Sequence, residues 1–153
     1  MAWVNYTEIA QEIKAILEAD PTLGGDPVRP VKVDIEPEHV KVSAETPWVE
    51  IRLVRRDAPD GMQPLAGGKV LRQLLRLQIA CWEFSFDGLE QAGALRDRLL
   101  GRVETALQKN HTLNDLVITA WITGGEFETA PGLEAFLAKG TIDLIADVKS
   151  TTE

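Results

Sequence analysis

The feature that most constrains the fold is an extended run over residues 70–86 that is apolar on both faces of a strand. Within it, QIACWEFSF places Ile79 and Cys81 on one face and Trp82 and Phe84 on the other. A strand with one solvated face alternates apolar and polar residues, so two dry faces require cover on both sides. As one strand, the run would measure about 55 Å, against roughly 40 Å for a domain of this size. We therefore expect it to bend or to project from the core.

Hydrophobic periodicity along the whole chain predicts two main helices and four to five strands. The helices are expected from Thr7 to Ala19, capped by Asn5, and from a cap at Asp87 to Lys109. Strands are expected over residues 31–35, 48–56, 70–86, 116–127 and 141–148, with one short helical turn between the last two. The predicted fold is a single α+β domain spanning residues 1–153. It has a mixed or antiparallel sheet of four to five strands, two main helices packed on one face and a long projecting hairpin.

Coverage of the sheet leaves two arrangements open. Two helices on one face would leave the other face bare, and exposed apolar area of that kind usually marks an interface. One helix on each face would instead give a three-layer monomer. We expect the interface arrangement, with subunit contacts at Trp82, Phe84, Phe86 and Trp121.

A search for chemistry finds no phosphate loop, no paired-cysteine metal spacing and no nucleophile with a base beside it. The lone Cys81 is expected to act as a small hydrophobic residue inside its strand. The best metal candidate is a donor-rich loop comprising Asp34, Glu36, Glu38 and His39. Such a loop is more often a solvated acidic surface than a site. We therefore predict a protein that is not an enzyme and that has no cofactor or bound metal.

Charge is distributed unevenly along the chain. The 24 acidic and 16 basic residues give a net charge of -8, which argues against a protein that wraps nucleic acid through phosphate contacts. No apolar run approaches the length of about 20 residues that a membrane span requires. One basic concentration flanks the long loop at residues 57–69: Arg52, Arg55, Arg56, Lys69, Arg72 and Arg76. Two interpretations stay open for it, a solvated hairpin or a contact surface for an acidic neighbour or for passing DNA.

The order of elements resembles the tail terminator proteins of long-tailed bacteriophages, a family also described as tail completion or head–tail joining proteins. The shared pattern is an N-terminal helix, a Pro/Gly loop and a pair of strands around a long charged loop. It continues through the segment RLQIACWEFSFDGLEQAGALRDRLLGRVETAL at residues 76–107. The resemblance spans nearly the whole chain and contains no catalytic signature.

The resemblance implies a structural virion protein of the tail, assembled in the host cytoplasm. Members of the family form a hexameric ring on the tail tube, end its growth and dock the head connector, while DNA passes through the channel without specific binding. The implied partners are further copies of the chain, the tail tube protein and the head–tail connector protein. The loop from Asp57 to Lys69 would then reach toward the tube or the next protomer, with these docking candidates: Arg55, Arg56, Asp57, Asp60, Met62, Lys69 and Arg72.

Two alternatives stay open beside this expectation. The chain could be another component of the neck or of the tube end. It could also be a small cytoplasmic enzyme or ligand-binding domain whose site lies around Asp34–His39.

Overall fold

The computed structural model describes residues 4–36, 47–58, 72–131 and 136–149. These residues form two helices and six strands: α1 (Tyr6–Ala19), β1 (Lys32–Ile35), β2 (Trp48–Asp57), β3 (Arg72–Ser85), α2 (Leu89–Lys109), β4 (Thr119–Gly124), β5 (Phe127–Pro131) and β6 (Phe136–Lys149). The sheet is mixed, because β1 runs parallel to β2 while the other pairings are antiparallel. The predicted α+β architecture is confirmed, with one strand more than the expected maximum.

The long apolar run forms β3, the central strand in the order β1-β2-β3-β6-β4, and β5 also pairs with β6. Strands β3 and β6 both have 14 residues, and they pair from Arg72 opposite Lys149 to Ser85 opposite Phe136. The length of β3 is therefore matched by a partner strand along its whole course. The expected projection of the β2–β3 hairpin depends on residues 59–71. These lie outside the described residues, so the projection stays a prediction.

Both helices pack on the same face of the sheet. On that face, the register aligns apolar side chains in rows across three strands, and the row of Ile51, Ile79 and Ile142 is fully buried. Ile13 of α1 and Val103 of α2 belong to the same hydrophobic cluster as this row. One core thus lies between the helices and the sheet, and the three-layer arrangement is excluded.

Helix α2 approaches β6 most closely at Gly140. A Cβ atom added to Gly140 would lie 3.0 Å from Cγ and 3.1 Å from Cδ2 of Leu100, and closer still to Cδ1. The absence of a side chain therefore lets Leu100 rest directly on the strand backbone. At this point only the Leu100 side chain separates α2 from the sheet, so helix and strand pack closely here.

The starts of the helices agree with the sequence in one case and differ in the other. The Asn5 side chain accepts a hydrogen bond from the Glu8 backbone N–H at 3.0 Å, which confirms the predicted cap of α1. Asp87 does not cap α2, so that prediction is wrong. The N-cap residue is Gly88 at φ 132°, and the Asp87 N–H instead donates to Ser85 Oγ at 3.0 Å. Neither helix in the described ranges has the length and apolar character needed to cross a bilayer.

The last third of the sheet differs from the predicted strand over residues 116–127. Three consecutive residues with positive φ, Leu113, Asn114 and Asp115, form a turn that delays the strand until Thr119. The strand is then interrupted between β4, which ends at Gly124, and β5, which begins at Phe127. Gly124 has a positive φ of 155°, and a side chain at Gly125 would collide with the Thr141 carbonyl oxygen, so both positions require glycine. The helical turn expected before residue 141 is wrong for residues 136–140, which pair with both β3 and β5. Residues 132–135 lie outside the described ranges.

Candidate interaction surfaces

The face of the sheet opposite the helices, here called the outer face, carries a row of four matched side chains. In the register, Lys32 lies opposite Trp48, Trp48 opposite Trp82, and Trp82 opposite Lys139. The ammonium nitrogen of Lys32 is 4.5 Å from the centre of the Trp48 ring, and that of Lys139 is 5.0 Å from the Trp82 ring. Cations at these distances are attracted to the faces of the rings. Of the aromatic side chains that the sequence predicts to be bare, Trp82 is therefore partly covered by Lys139 of the same chain.

The predicted subunit contacts occupy different environments. Phe84 is only 2% exposed, so its side chain adds no free apolar area to the outer face, while Trp82 is half-buried. Phe86 is 65% exposed just after β3, and Trp121 is 42% exposed on β4. The structure does not bring these four residues into one patch. Trp121 is the member that lies at an edge of the sheet.

Charged side chains at the other end of the outer face are paired within the chain. Arg55 and Arg76 both donate to Asp57, at 3.1 and 2.8 Å. Arg72 donates through two nitrogens to Asp147, at 3.0 and 2.6 Å. The hydrogen bond from Arg76, with the charge of Arg55, holds the pKa of Asp57 below its usual value. These arginines therefore neutralise nearby carboxylates and do not form a free basic patch.

The remaining docking candidates divide between the helix side and the loop. The Arg56 guanidinium lies 5.8 Å from the centre of the Tyr6 ring, and a hydrogen bond with Tyr6 raises the pKa of Arg56. Asp60, Met62 and Lys69 fall in residues 59–71, outside the described part of the chain. The docking role of this loop stays a prediction.

The donor-rich stretch predicted as a possible metal site begins inside β1, where Asp34 lies opposite Glu50, and its next carboxylate, Glu36, has a structural role. Glu36 has a positive φ of 44°, and its Oε1 accepts a hydrogen bond from the Leu53 backbone N–H at 3.0 Å. This bond continues the β1–β2 pairing past Ile35, at the point where β2 bulges after Leu53. Glu38 and His39 lie outside the described residues. Within residues 4–36, 47–58, 72–131 and 136–149 no group of three potential metal ligands is present.

Three exposed apolar side chains occur along the sheet edge formed by β4, β5 and the residue before β4. Ile118 is 49% exposed, Trp121 42% and Phe127 70%, and we call these three residues the β4–β5 edge patch. The patch occupies both faces of the edge: Trp121 lies opposite Ile145 on the outer face, whereas Phe127 lies on the helix side, where Arg96 of α2 is 4.7 Å from the centre of its ring. The sequence pattern identified Trp121 but missed the other two. Its signal for Phe127 was a bulky aromatic residue two positions after the Gly124-Gly125 break.

An apolar cavity adjoins this patch where the end of α2 meets β4. Its volume is about 440 Å³, and its lining includes Leu107, Leu113, Ile122 and Leu144. His111 stands at the same place, and its carbonyl oxygen accepts a hydrogen bond from the Ala120 N–H at 2.7 Å. Trp121 of the edge patch also lines this cavity.

Comparison with known proteins adds no further support for any family. No protein-family model matches the chain, and no curated protein matches it with significant similarity. A functional proposal therefore depends on the geometry above and on the resemblance in the order of elements.

Proposed function

We propose that this chain is a structural virion protein that assembles into a ring at the end of a phage tail tube. In that position it ends polymerisation of the tube and provides the surface on which the head connector docks. The single observation that carries the proposal is the β4–β5 edge patch, where Ile118, Trp121 and Phe127 remain exposed on a chain with a complete core. Large apolar side chains left exposed along a sheet edge would be covered when a second copy docks against that edge.

The ends of the sheet favour a ring over a closed dimer. Among the described strands, the sheet ends in β1 on one side and in β4 and β5 on the other. A contact between two unlike edges is heterologous, and repeated heterologous contacts generate a ring when their rotation closes. Self-association through the edge patch would therefore add protomers in one direction around an axis.

The charge of the chain suits a passage for DNA. With a net charge of -8, a ring of several copies would repel phosphates at most of its surface. DNA could then move through the channel without being held. The head connector and the tube would contact the two ends of the ring, and the loop from Asp57 to Lys69 is our candidate for one of these contacts.

Light scattering of the purified protein tests the assembly, alone and after addition of tail-tube protein. The test variant is Trp121→Glu with Phe127→Glu, which places two charges in the edge patch. The matched control is Val54→Glu, since Val54 is 57% exposed at the bulge in β2, away from the patch. We expect ring-sized particles for the parent and the control and monomers for the double variant, all with native circular dichroism. A parent that stays monomeric in both conditions would refute the ring.

Docking is tested separately from ring formation by deletion of residues 58–68. We expect the shortened chain to fold and to form the ring but to lose attachment to the tube or the connector. Negative-stain images of particles assembled with the deletion variant would show uncapped tubes. Normal attachment would remove the loop from the proposal and leave the ring untouched.

A further inference from the structure

A charged notch lies on the helix side of the molecule, where the loop after α1 meets the first half of α2. It has a volume of about 230 Å³, and five charged residues line it: Asp26, Arg29, Glu83, Arg98 and Arg102. The notch exists because β2 begins at Trp48, opposite Trp82, so β3 continues beyond it without a strand on that side. Neither the edge patch nor the outer face includes this place.

Glu83 forms the base of the notch and is the most unusual group in it. Its side chain is 2% exposed, and Oε2 accepts a hydrogen bond from Arg29 Nη1 at 2.7 Å. Its other oxygen, Oε1, is buried and has no hydrogen-bond partner among the described residues. Burial raises the pKa of Glu83 despite the opposing charges of Arg29, Arg102 and Arg98. A buried oxygen of this kind needs a proton, a water molecule or a bound group to satisfy it.

Two arginines, Arg98 and Arg102, lie at the mouth of the notch. Arg98 and Arg102 lie one helical turn apart on the exposed side of α2, so their side chains point the same way. Neither makes a hydrogen bond or an ion pair within the described ranges. The Asp26 carboxylate is held by the loop backbone, because its Oδ1 accepts hydrogen bonds from the N–H groups of Val28 at 2.9 Å and Arg29 at 3.2 Å, although the charge of Arg102 also lowers its pKa.

Charge and shape together define what the notch can hold. Three arginines face two carboxylates, and the positive excess grows by one when Glu83 is protonated. This excess lies on a chain of net charge -8. Arginines that converge from a loop and from two turns of a helix match the several oxygens of a tetrahedral anion. The small volume and the acidic remainder of the surface disfavour a polyanion such as DNA.

We propose that this notch binds a small tetrahedral oxyanion, either inorganic phosphate or the phosphate group of a small phosphomonoester. Arg98 and Arg102 hold its outer oxygens, and Arg29 with protonated Glu83 holds the inner ones. Binding completes the hydrogen bonding of the Glu83 Oε1 atom. The site would join the loop after α1 to α2, and it is independent of the ring proposal because it needs no second copy of the chain.

Isothermal titration calorimetry on the full chain tests the site with sodium sulfate, sodium phosphate and glycerol phosphate, at constant ionic strength set by sodium chloride. The test variant is Arg98→Gln with Arg102→Gln. The control is Arg55→Gln with Arg56→Gln, which also removes two positive charges but does so at the C-terminal end of β2, away from the notch. We expect the test variant to weaken binding at least about tenfold, because hydrogen bonds between charged groups are strong enough for that change. The control variant should bind as the parent does.

The probes separate the possible sources of the anion. Binding of sulfate and phosphate alone indicates a free oxyanion, whereas tighter binding of glycerol phosphate indicates a phosphomonoester. No binding of any probe to the parent overturns the site, and so does equal weakening in the test and control variants. Binding of a short DNA duplex that depends on Arg98 and Arg102, without binding of the small anions, also overturns it.

The pH dependence gives a second readout that a general surface attraction would not produce. Sulfate keeps its charge from about pH 8 to about pH 5, the arginines of the notch stay protonated, and hydrogen bonds hold the pKa of Asp26 low. Glu83 is the group lining the notch whose pKa burial raises above its ordinary value of 4.5, that is, toward this range. We expect sulfate affinity to rise as pH falls in the parent and to lose this dependence in Glu83→Gln, which keeps an amide donor in place. An equal pH dependence in both proteins would overturn the role of Glu83.

Discussion

The contact between α2 and β6 leads to a prediction in which one substitution has opposite effects in two backgrounds. Gly140→Ala adds a methyl group 3.0 Å from Cγ and 3.1 Å from Cδ2 of Leu100, so the Leu100 side chain must move. Overpacking of this kind costs about 1–3 kcal/mol, and reduced freedom of the unfolded chain returns about 0.4–1 kcal/mol. The free energy of unfolding should therefore fall by about 1–2 kcal/mol, which lowers Tm by about 2–8 °C in a chain of this length.

The second background is Leu100→Ala, which removes the group that the new methyl would strike. Leu100 is 8% exposed, so this single change should cost about 2–3 kcal/mol, near the lower end for buried leucines. In that background Gly140→Ala fills part of the cavity and should stabilise the protein by about 0.5–1 kcal/mol. The sign of the Gly140 effect is thus reversed.

Urea unfolding followed by tryptophan fluorescence measures all four proteins of this cycle. Gly101→Ala is the matched control, because a Cβ atom at Gly101 meets nothing within 4 Å and the residue lies inside α2. It should stabilise the chain by about 0.5–1 kcal/mol through helix propensity. An equal effect of Gly140→Ala with and without Leu100 would refute the close packing of α2 on β6.

Three further predictions concern buried polar and thiol groups. Cys81 is fully buried and burial raises the pKa of its thiol, so a maleimide should label it only after denaturation; fast labelling of the native protein would contradict its burial. Because the folded pKa of Glu83 is raised, its stabilising contribution is complete below the ordinary value of 4.5 and is lost as pH rises through the folded pKa. Urea midpoints of Glu83→Gln relative to the parent should therefore increase from acid to neutral pH, and a constant difference would contradict the shift. Asp147→Asn should cost about 1–3 kcal/mol in the same assay, because the Asp147 side chain is 8% exposed and binds Arg72 through two hydrogen bonds. Asp57→Asn, with its side chain 36% exposed, should cost less than about 1 kcal/mol, and equal costs would show that burial does not matter here.

The parts of the fold that the sequence predicts correctly are those governed by local periodicity. The apolar stripe of α2 and the Asn5 cap of α1 depend on neighbouring residues, so α2 ends at Lys109 as expected and α1 begins one residue before its predicted start. The pairing of β6 with β3 over 14 residues depends on partners far apart in the chain. Residues 136–140 therefore looked helical in isolation. The positive φ values at residues 113–115 had a partial signal in Asn114 and Asp115, since these residue types adopt positive φ more readily than most, but Leu113 gave none.

The candidate sites were harder to predict because strand pairing decides which charged and aromatic side chains contact each other and which stay exposed. The sequence shows Trp48 and Lys32 as unrelated, yet the register places them opposite each other and 4.5 Å apart. The apolar alternation of β3 drew attention to Trp82 and Phe84, although lysine cover and burial remove most of their exposed area. Glu83 between them was overlooked, because a single carboxylate in a strand carries no sequence signal of burial.

The distribution of charges also determines how the proposed ring would be held together. Docking the outer face against another copy would bury the pairs formed by Asp57 and Asp147 with their arginines, and the desolvation of such pairs offsets most of their attraction. The β4–β5 edge patch carries no comparable cost, since Trp121 and Phe127 expose apolar area directly. Self-association should therefore extend the sheet sideways and leave the outer face solvated. In a closed ring this arrangement turns one face of every sheet toward the same side, and the choice of side decides whether the paired charges or the helices line the channel.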